Sequence, residues 1–267
     1  MSDWTIALED VLPNPPSDGS AGVNIAVVGQ LNLPDQDEGT YELLLSFTRT
    51  ALQQLADLGA DFTFIDVTDD AEPDYQSIVS ADAVIMLGGG DVEATRYGHD
   101  GPVPNEYGVD PRSDSRQLRV IAEAVAADQT MLAICRGSQL LNVASGGSLI
   151  PNLPDGEHRG LPGEPMFIDD VVNIDVQSPL GEIYPGRENL TVRNGHHQAV
   201  DRVGDHLKVI ARAPDGVIEG TMRTDKRWIV GVQWHPEDPA GPPDDRAAIF
   251  AAVIDEVKRR RAAVPSL

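Results

Sequence analysis

The single cysteine of this chain, Cys135, lies in a pattern that suits nucleophilic chemistry. The run Ala133-Ile134-Cys135-Arg136-Gly137 predicts a buried strand that ends at the cysteine and a helix that begins directly after it. Such a tight turn strains its central residue and presents the side chain at the carboxyl edge of the sheet. The helix N-terminus favours the thiolate, the nucleophilic form. A buried structural cysteine is the alternative that this pattern alone leaves open.

A second candidate group stands where another predicted strand ends, at His235-Pro236-Glu237. A histidine there can accept a thiol proton and later protonate a leaving amine. A carboxylate two residues further on, across a proline that stiffens the turn, can hold the imidazole in one tautomer. The competing interpretation is a solvated turn that carries these residues by chance.

The elements that must position these residues alternate along the first half of the chain. Short apolar runs predict buried strands, and apolar residues at helical spacing predict the helices between them. This alternation is typical of a parallel sheet with helices on both faces. The second half is instead rich in strand-like segments separated by short turns. The predicted strands cover residues 23–29, 61–67, 83–87, 130–134, 167–176, 190–193, 206–213, 217–222 and 228–233, and the predicted helices cover residues 41–58, 115–127, 136–144 and 245–261.

Domain organisation follows from composition. Residues 1–21 carry several Pro and Gly residues with little periodicity, which predicts a loose, flexible N-terminal leader. Residues 22–263 are expected to form a single domain, because both halves of the chain supply residues to the same chemistry. The segment 91–114, rich in Gly, Pro, Tyr and charge, is expected to be a long loop.

Charge excludes several classes of partner. The 267 residues include 43 Asp and Glu but only 20 Lys and Arg, which gives a formal net charge of -23. Nucleic acids and anionic lipid surfaces need a basic protein surface, so neither is an expected partner. No apolar segment approaches the roughly 20 residues of a membrane span, and the N-terminus lacks a signal-peptide pattern. With one cysteine and no disulfide, a cytoplasmic location is the simplest expectation.

Together, several motifs carry a family resemblance. They run in the family's order across roughly residues 23–260, and they are Met86-Leu-Gly-Gly-Gly-Asp-Val92, Leu132-Ala-Ile-Cys-Arg-Gly-Ser-Gln-Leu-Leu-Asn142, Gly146-Gly147, Asn194-Gly-His-His-Gln-Ala-Val-Asp201, Ala213-Pro-Asp-Gly-Val-Ile-Glu219 and Gly231-Val-Gln-Trp-His-Pro-Glu237. On these residues the chain resembles the class I glutamine amidotransferase-like family. The Cys-Arg-Gly elbow and the paired histidines favour its stand-alone γ-glutamyl hydrolase branch.

The resemblance implies an α/β fold with a mainly parallel, flavodoxin-like central sheet flanked by helices, and a small antiparallel extension from the second half. It also implies that Cys135 is the nucleophile, His235 the general base and acid, and Glu237 the group that orients the histidine. An oxyanion hole would use the backbone N–H of Arg136 and one N–H of the glycine turn, at Gly88 or Gly89, because fixed dipoles stabilise a tetrahedral intermediate.

For the glutamyl part of a substrate, the resemblance points to three contacts: Gln139, His197 and Gln198. Within the loop 91–114, individual residues are as well explained by solvation as by substrate contact; these are Asp91, Arg96, Tyr97 and Tyr107. Two departures from the family pattern, Leu87 for a proline and Asp170 for a histidine, leave the shape of the pocket open. Adjacent histidines on a strand point to opposite faces, so no metal site is expected at His196 and His197, and the resemblance requires no cofactor.

The sequence leaves three functions open. The first is a hydrolase that cleaves small γ-glutamyl amines, such as a γ-aminobutyrate or polyamine conjugate, through a γ-glutamyl thioester. The second is a glutaminase subunit that delivers ammonia to a partner synthetase, and the third is a non-catalytic binding module. The acidic surface favours a cationic amine arm by long-range attraction. The oligomeric state is open, with a homodimer among the outcomes.

Overall fold

In the computed structural model, which describes residues 4–263, eleven strands join into one mixed sheet. In chain order the strands are β1 (Asn24–Gly29), β2 (Asp61–Asp66), β3 (Ala83–Met86), β4 (Thr130–Ile134), β5 (Leu149–Ile150), β6 (Ile168–Ile174), β7 (Asn189–Asn194), β8 (Ala199–Val200), β9 (Leu207–Arg212), β10 (Ile218–Arg223) and β11 (Ile229–Val232). The helices are α1 (Leu8–Val11), α2 (Glu38–Asp57), α3 (Tyr75–Ser80), α4 (Pro111–Ala126), α5 (Arg136–Ala144), α6 (Pro179–Ile183) and α7 (Pro243–Ala262), with a short 3-10 helix at Ala94–Tyr97.

The strand order confirms the predicted architecture. Neighbouring strands follow the order β2-β1-β3-β4-β11-β10-β9-β6-β7, while β5 and β8 pair with each other and β8 also pairs with β10. The pairs from β2 to β11 are parallel, and the pairs from β11 to β7 are antiparallel. A parallel, helix-flanked sheet therefore passes directly into an antiparallel extension. At the junction, β4 and β11 run in parallel, so the ends of both strands meet at one edge of the sheet.

Alternating residues of the parallel strands build two separate cores. Along β1, Ile25 and Val27 face one core, and Ala26 and Val28 face the other. The first core is closed by apolar residues of α2 and α7, and the second by those of α3, α4 and α5. Burial on both faces explains why the inner parallel strands β1, β3, β4 and β11 have nearly continuous apolar sequences, whereas the edge strand β2 does not.

Local signals set where the longer helices begin and end. The side chain of Asp37 caps α2 by accepting a hydrogen bond from the backbone N–H of Thr40 at 2.8 Å. Gly59, with φ of 72°, follows the end of α2, as the sequence predicts. Helix α4 begins four residues earlier than predicted because Asp110 caps it and Pro111 suits its first turn.

The N-terminal segment differs from the loose leader that its composition predicts. Within residues 4–21 the chain forms α1, and both Ile6 and Val11 are buried in the core that α2 closes. The amide of Asn32 fixes the segment further, because it exchanges two hydrogen bonds with the backbone of Ile6, at 2.9 and 3.1 Å. Residues 1–3 lie outside the described part of the chain.

The short elements α3, α6, β5 and β8 were not predicted from the sequence. They have two to six residues each, too few to establish a periodic pattern. Among residues 4–263, no helix combines the length and the apolar character that a membrane crossing requires.

Candidate active site

Cys135 occupies a strained turn between β4 and α5. Its backbone has φ of 48° and ψ of -106°. Such a conformation costs on the order of 1–3 kcal/mol for a residue other than glycine. The Cys135 N–H donates to the carbonyl of Val232 at 2.7 Å, which ties the turn to the end of β11. A Cβ on Gly137 would lie 2.7 Å from Cβ of Met86, so only glycine lets α5 pack this closely on β3. The geometry matches the sharp turn that the sequence predicts.

His235 and Glu237 form a hydrogen-bonded pair just beyond β11. The Nδ1 atom of His235 donates to Oε1 of Glu237 at 2.7 Å, which leaves Nε2 free to exchange a proton with another group. The backbone N–H of His235 donates to the carbonyl of Arg193 at 2.9 Å, so the end of β7 fixes this turn. Both side chains line the same cavity as Cys135.

The protonation of His235 responds to both neighbours. Burial lowers the pKa of this imidazole, but the negative charge of a Cys135 thiolate and of Glu237, with their hydrogen bonds, outweighs burial. The pKa of His235 is therefore raised well above its usual value. A raised pKa is the expected property of an imidazole that pairs with a thiolate and can protonate a leaving group.

Two aromatic rings hold the imidazole of His235 from the sides. The ring of Phe47, on α2, lies 5.3 Å from that of His235, and the ring of Phe167, before β6, lies 5.0 Å away and nearly perpendicular. The two phenyl rings also contact each other at 4.8 Å. The sequence does not identify either residue, because each comes from an element far from the motifs in the chain.

The glycine turn after β3 faces the same cavity. A Cβ on Gly88 would lie 2.7 Å from Cε1 of His235, and Gly88 and Gly89 both line the cavity. The N–H of Gly90 is already used, since it donates to the side-chain oxygen of Gln30 at 3.0 Å. The N–H groups of Gly88 and Gly89 therefore remain the candidates for the second oxyanion donor, and that role stays a prediction. Arg136 begins α5, where a backbone N–H has no partner within the helix.

The side chain of Arg136 is turned away from this chemistry and buried. It forms a buried ion pair with Asp114 and donates to the amide oxygen of Gln117, both on α4. Burial raises the pKa of Asp114, and the guanidinium of Arg136 opposes that rise. The ion pair anchors the first turn of α5 against α4, which holds the Arg136 N–H in a fixed direction.

The structure does not bring the predicted glutamyl contacts Gln139, His197 and Gln198 to the cavity wall. All three are buried, and none lines the cavity that contains Cys135. The amide of Gln139 donates to the carbonyl of Gln198 at 2.9 Å, and Nε2 of His197 lies 2.9 Å from the carboxylate of Asp91. These residues pack against the loop after β3 on the side that faces away from the cavity. A direct contact between any of them and the substrate stays a prediction.

Of the loop residues considered from the sequence, Tyr107 lines the cavity and Asp91 does not. Asp91 instead accepts a hydrogen bond from the backbone N–H of Tyr107 at 3.0 Å, so it shapes the loop that carries this ring. Arg96 pairs with Glu93 at 2.9 Å and Tyr97 is buried, both away from the cavity.

Gln233 is a further residue near the thiol that sequence reasoning missed. Its amide nitrogen lies 3.4 Å from Sγ of Cys135, within reach for a hydrogen bond to sulfur. The available signal was its place at the end of the predicted strand 228–233, directly before the segment that carries His235.

One group of described residues has the donor types of a metal site. Ligand atoms of His158, His196 and Glu219 all lie within 4.8 Å of one another. However, the ring nitrogens of His158 already donate to Asp170 at 2.8 Å and to Asp215 at 2.9 Å. The two imidazoles also stack, 5.1 Å apart and 19° from parallel, whereas a metal must lie near the plane of each ring that binds it. The arrangement is that of a buried ion-pair network.

This network changes the protonation of His158. Burial lowers its pKa, but the hydrogen bonds to Asp170 and Asp215 and the nearby charge of Glu219 raise it to about 9. At neutral pH His158 is therefore a buried imidazolium among carboxylates. One of its partners is Asp170, which the sequence singles out as a departure from the pattern that the chain resembles.

The cavity itself has a volume of about 400 Å³. Its wall combines the residues described above with apolar side chains of α2 and of the segment before β6. The lining residues are Leu33, Gly39, Thr40, Leu43, Leu44, Phe47, Thr48, Leu87, Gly88, Gly89, Tyr107, Cys135, Pro165, Met166, Phe167, Arg193, Gly195, His235, Glu237 and Asp238.

Comparisons with known proteins identify the family of the chain. The family model described as peptidase C26 matches residues 25–237. The chain is 35% identical over 162 residues to the protein NtpR of Enterococcus hirae, covering 58% of this chain and 66% of that protein. It is 33% identical over 178 residues to γ-glutamyl-γ-aminobutyrate hydrolase PuuD of Escherichia coli, covering 62% of this chain and 69% of that protein. The match thus spans slightly less than two thirds of the length of NtpR.

The fold is also found among solved structures. The glutaminase domain of a Trypanosoma brucei CTPS, determined with bound acivicin, superposes with a TM-score of 0.57, covering 88% of this chain and 94% of that one. At 17% sequence identity this likeness concerns the fold alone.

Proposed function

Because the chain belongs to the peptidase C26 family, we propose that it is a cysteine hydrolase of γ-glutamyl amides, with Cys135, His235 and Glu237 as its catalytic residues. The observation that carries the proposal is the position of Cys135. It sits at a strained turn and shares one cavity with an imidazole whose Nδ1 is bonded to a carboxylate at 2.7 Å. A relative named for the hydrolysis of γ-glutamyl-γ-aminobutyrate supports the substrate class.

The first half-reaction transfers the glutamyl group to sulfur. The thiolate of Cys135 attacks the γ-carbonyl carbon, and the electron pair of the C=O bond moves to oxygen. The backbone N–H of Arg136 and that of Gly88 or Gly89 stabilise the oxyanion. When the intermediate collapses, the C–N bond breaks and His235 gives its proton to the departing nitrogen. The products are a free amine and a γ-glutamyl thioester.

The second half-reaction returns the enzyme to its starting state. His235, now neutral, takes a proton from water, and the hydroxide attacks the thioester carbonyl. The same N–H groups stabilise the second oxyanion, and Cys135 leaves as the thiolate while glutamate is released. Glu237 keeps the imidazole in the tautomer that both half-reactions need. In this scheme every proton moves between His235, the substrate and water.

The experiment compares the purified protein with its Cys135→Ala variant on γ-glutamyl amines and on glutamine. We expect glutamate release from γ-glutamyl amines by the protein alone, and a fall of at least about 10⁴-fold in kcat/KM for the variant. Circular dichroism and thermal unfolding check that the variant stays folded. Full activity of folded Cys135→Ala would contradict the proposal.

A second candidate, a glutaminase that supplies ammonia to a synthetase, is supported by a relative from Mycobacterium tuberculosis, 34% identical over 178 residues, that is named a putative glutamine amidotransferase. It predicts a different pattern in the same assay. Glutamine would be the preferred substrate, activity of the isolated protein would be weak, and addition of a partner synthetase would increase it. Preference for γ-glutamyl amines without any partner excludes this candidate.

A further inference from the structure

We infer that the subsite for the leaving amine is apolar and charge-compensated, so that the preferred substrates are γ-glutamyl amides of neutral aliphatic amines. The inference rests on the proposed function and names the substrate class within it. It runs against the expectation that the acidic surface favours a cationic amine, because local contacts inside a cavity outweigh a screened long-range field.

The position of the leaving amine follows from the role of His235. The group that protonates the departing nitrogen must lie within hydrogen-bond reach of it. Nδ1 of His235 is engaged with Glu237, so the proton must come from Nε2. The amine substituent therefore extends past the rings that flank this imidazole, Phe47 and Phe167, at 5.3 and 5.0 Å from it.

Near these two rings the wall of the cavity includes several aliphatic side chains. Helix α2 contributes Leu43 and Leu44, with Thr40 and Thr48 beside them, and the segment before β6 contributes Met166. Met166 is 42% exposed, an unusual degree for a long apolar side chain, and it lies at the cavity. An alkyl chain on the leaving nitrogen would cover such surface, and burial of each methylene favours binding.

Arg193, the cationic side chain of the cavity wall, is already paired with carboxylates. Nε of Arg193 donates to Asp238 at 2.9 Å, and its two terminal nitrogens donate to Asp169 at 2.9 Å and to the carbonyl of Phe167 at 2.8 Å. With two carboxylates on one guanidinium, a carboxylate on the amine arm would meet as much repulsion as attraction.

The anions of the wall are occupied in the same way. Asp238 accepts from Arg193 with one oxygen and from the backbone N–H of Ala240, at 2.8 Å, with the other. Glu237 accepts from His235 with Oε1, while its Oε2 has no hydrogen-bond partner but is buried away from solvent. Among the described lining residues, no solvent-accessible carboxylate oxygen is therefore left to pair with an ammonium group on the amine arm. Either charge at the end of the arm would therefore face an apolar wall without a partner, which is unfavourable.

The test uses three conjugates that share the γ-glutamyl half and a four-carbon arm. They are the γ-glutamyl amides of n-butylamine, of γ-aminobutyrate and of putrescine, which end in a methyl group, a carboxylate and an ammonium group. We expect kcat/KM for the butylamide to exceed both others by at least about tenfold, because an unpaired charge costs binding energy. A series from methylamide to butylamide should gain about fourfold for each methylene, equivalent to about 0.8 kcal/mol.

Two variants on α2 distinguish the effect of a charge inside the cavity from the effect of the net charge of the protein. Leu43→Arg adds one positive charge inside the cavity, and Glu42→Gln makes the same change of net charge on the neighbouring, exposed residue. We expect Leu43→Arg to shift the preference toward the γ-aminobutyrate conjugate by at least about tenfold, since a close ion pair in a partly buried site is favourable. Glu42→Gln should keep the preference of the unaltered protein.

The outcomes distinguish this inference from the proposed function. If the protein cleaves γ-glutamyl amides but prefers the charged conjugates, the apolar subsite is overturned and the hydrolase stands. A flat chain-length series would also overturn the subsite. If none of the three amides releases glutamate, the hydrolase itself is overturned, and the inference with it.

Discussion

At the scale of single residues, the site depends on side chains being absent as much as on their being present. Gly88 stands between the thiol and the imidazole, where its missing Cβ would lie 2.7 Å from Cε1 of His235 and 3.7 Å from Cβ of Cys135. Real Cβ atoms do not approach neighbours as closely as 2.7 Å. The glycine therefore does more than form a turn, because it makes room for the histidine beside the sulfur.

We predict that Gly88→Ala lowers kcat/KM by at least about 10²-fold, because a shift of about 1 Å in a reacting group has that effect. The imidazole would have to move, while the surrounding sheet stays intact. Steady-state kinetics measures the loss, and thermal unfolding shows whether the fold is retained. A Gly88→Ala variant that is folded and fully active would contradict the placement of this glycine against His235.

Sequence reasoning can single out residues whose positions at the ends of elements are visible in local patterns. Cys135 at a strand-to-helix junction and the His-Pro-Glu run could be singled out because each needs only its neighbours in the chain. Phe47 and Phe167 could not be, because their contact with His235 depends on how α2 and the segment before β6 meet across the sheet edge. The same limit applied to Arg193, whose pairing with Asp238 joins β7 to the turn after β11.

At the scale of elements, His158 joins segments that are distant in sequence. It pairs with Asp170 on β6 and with Asp215 in the turn before β10, and it stacks on His196, which follows β7. The buried positive charge of His158 thus connects several segments of the antiparallel extension. It lies near the loop after β7, which borders the cavity. Gly195 of that loop lines the cavity wall.

This arrangement predicts a pH-dependent stability. The folded pKa of His158, about 9, lies above the ordinary value of 6.5, so the stabilisation is fully present below pH 6.5 and is lost as pH rises through 9. We expect the free energy of unfolding to fall by up to about 3 kcal/mol between about pH 6.5 and about pH 9.5. His158→Gln should remove most of this slope, as measured by urea unfolding across that range.

His206→Gln is the matched control, because it removes an exposed histidine outside the network. That variant should keep the slope of the unaltered protein. An identical slope in His158→Gln would show that other groups cause the pH dependence.

The boundaries of the helices show which features of the fold can be predicted from local sequence. The early start of α4 is readable from Asp110 and Pro111, a cap followed by a residue that suits the first turn. The packing of residues 4–21 is not readable in this way. Proline-rich composition suggested a loose segment, whereas the burial of Ile6 and Val11 depends on a groove beside α2 that only the folded structure provides.

At the scale of the whole molecule, the net charge of -23 sets how stability depends on salt. The acids include 29 Asp, and the bases include only 3 Lys. Mutual repulsion among surface carboxylates opposes the compact state, and dissolved ions reduce it. The Debye length falls from about 10 Å at 0.1 M to about 3 Å at 1 M salt, so screening is nearly complete by 1 M.

We therefore expect the Tm to rise by at least about 5 °C between about 0.1 M and 1 M KCl, a shift that corresponds to about 1–2 kcal/mol for a chain of this size. Differential scanning fluorimetry at a series of KCl concentrations measures the change. Potassium chloride is chosen because sulfate and phosphate strengthen apolar burial in any protein. A Tm that is constant or falls with KCl would contradict a dominant role for surface repulsion.

The central claim, that Cys135 carries the glutamyl group during turnover, is tested most directly by rapid-quench mass spectrometry on the unaltered protein. With a γ-glutamyl amide as substrate, the account predicts a burst of free amine equal to the enzyme present, before glutamate accumulates. It also predicts one glutamyl adduct, located on the peptide that contains Cys135 and released by hydroxylamine. Turnover without a burst and without that adduct, or an adduct on another residue, would contradict it.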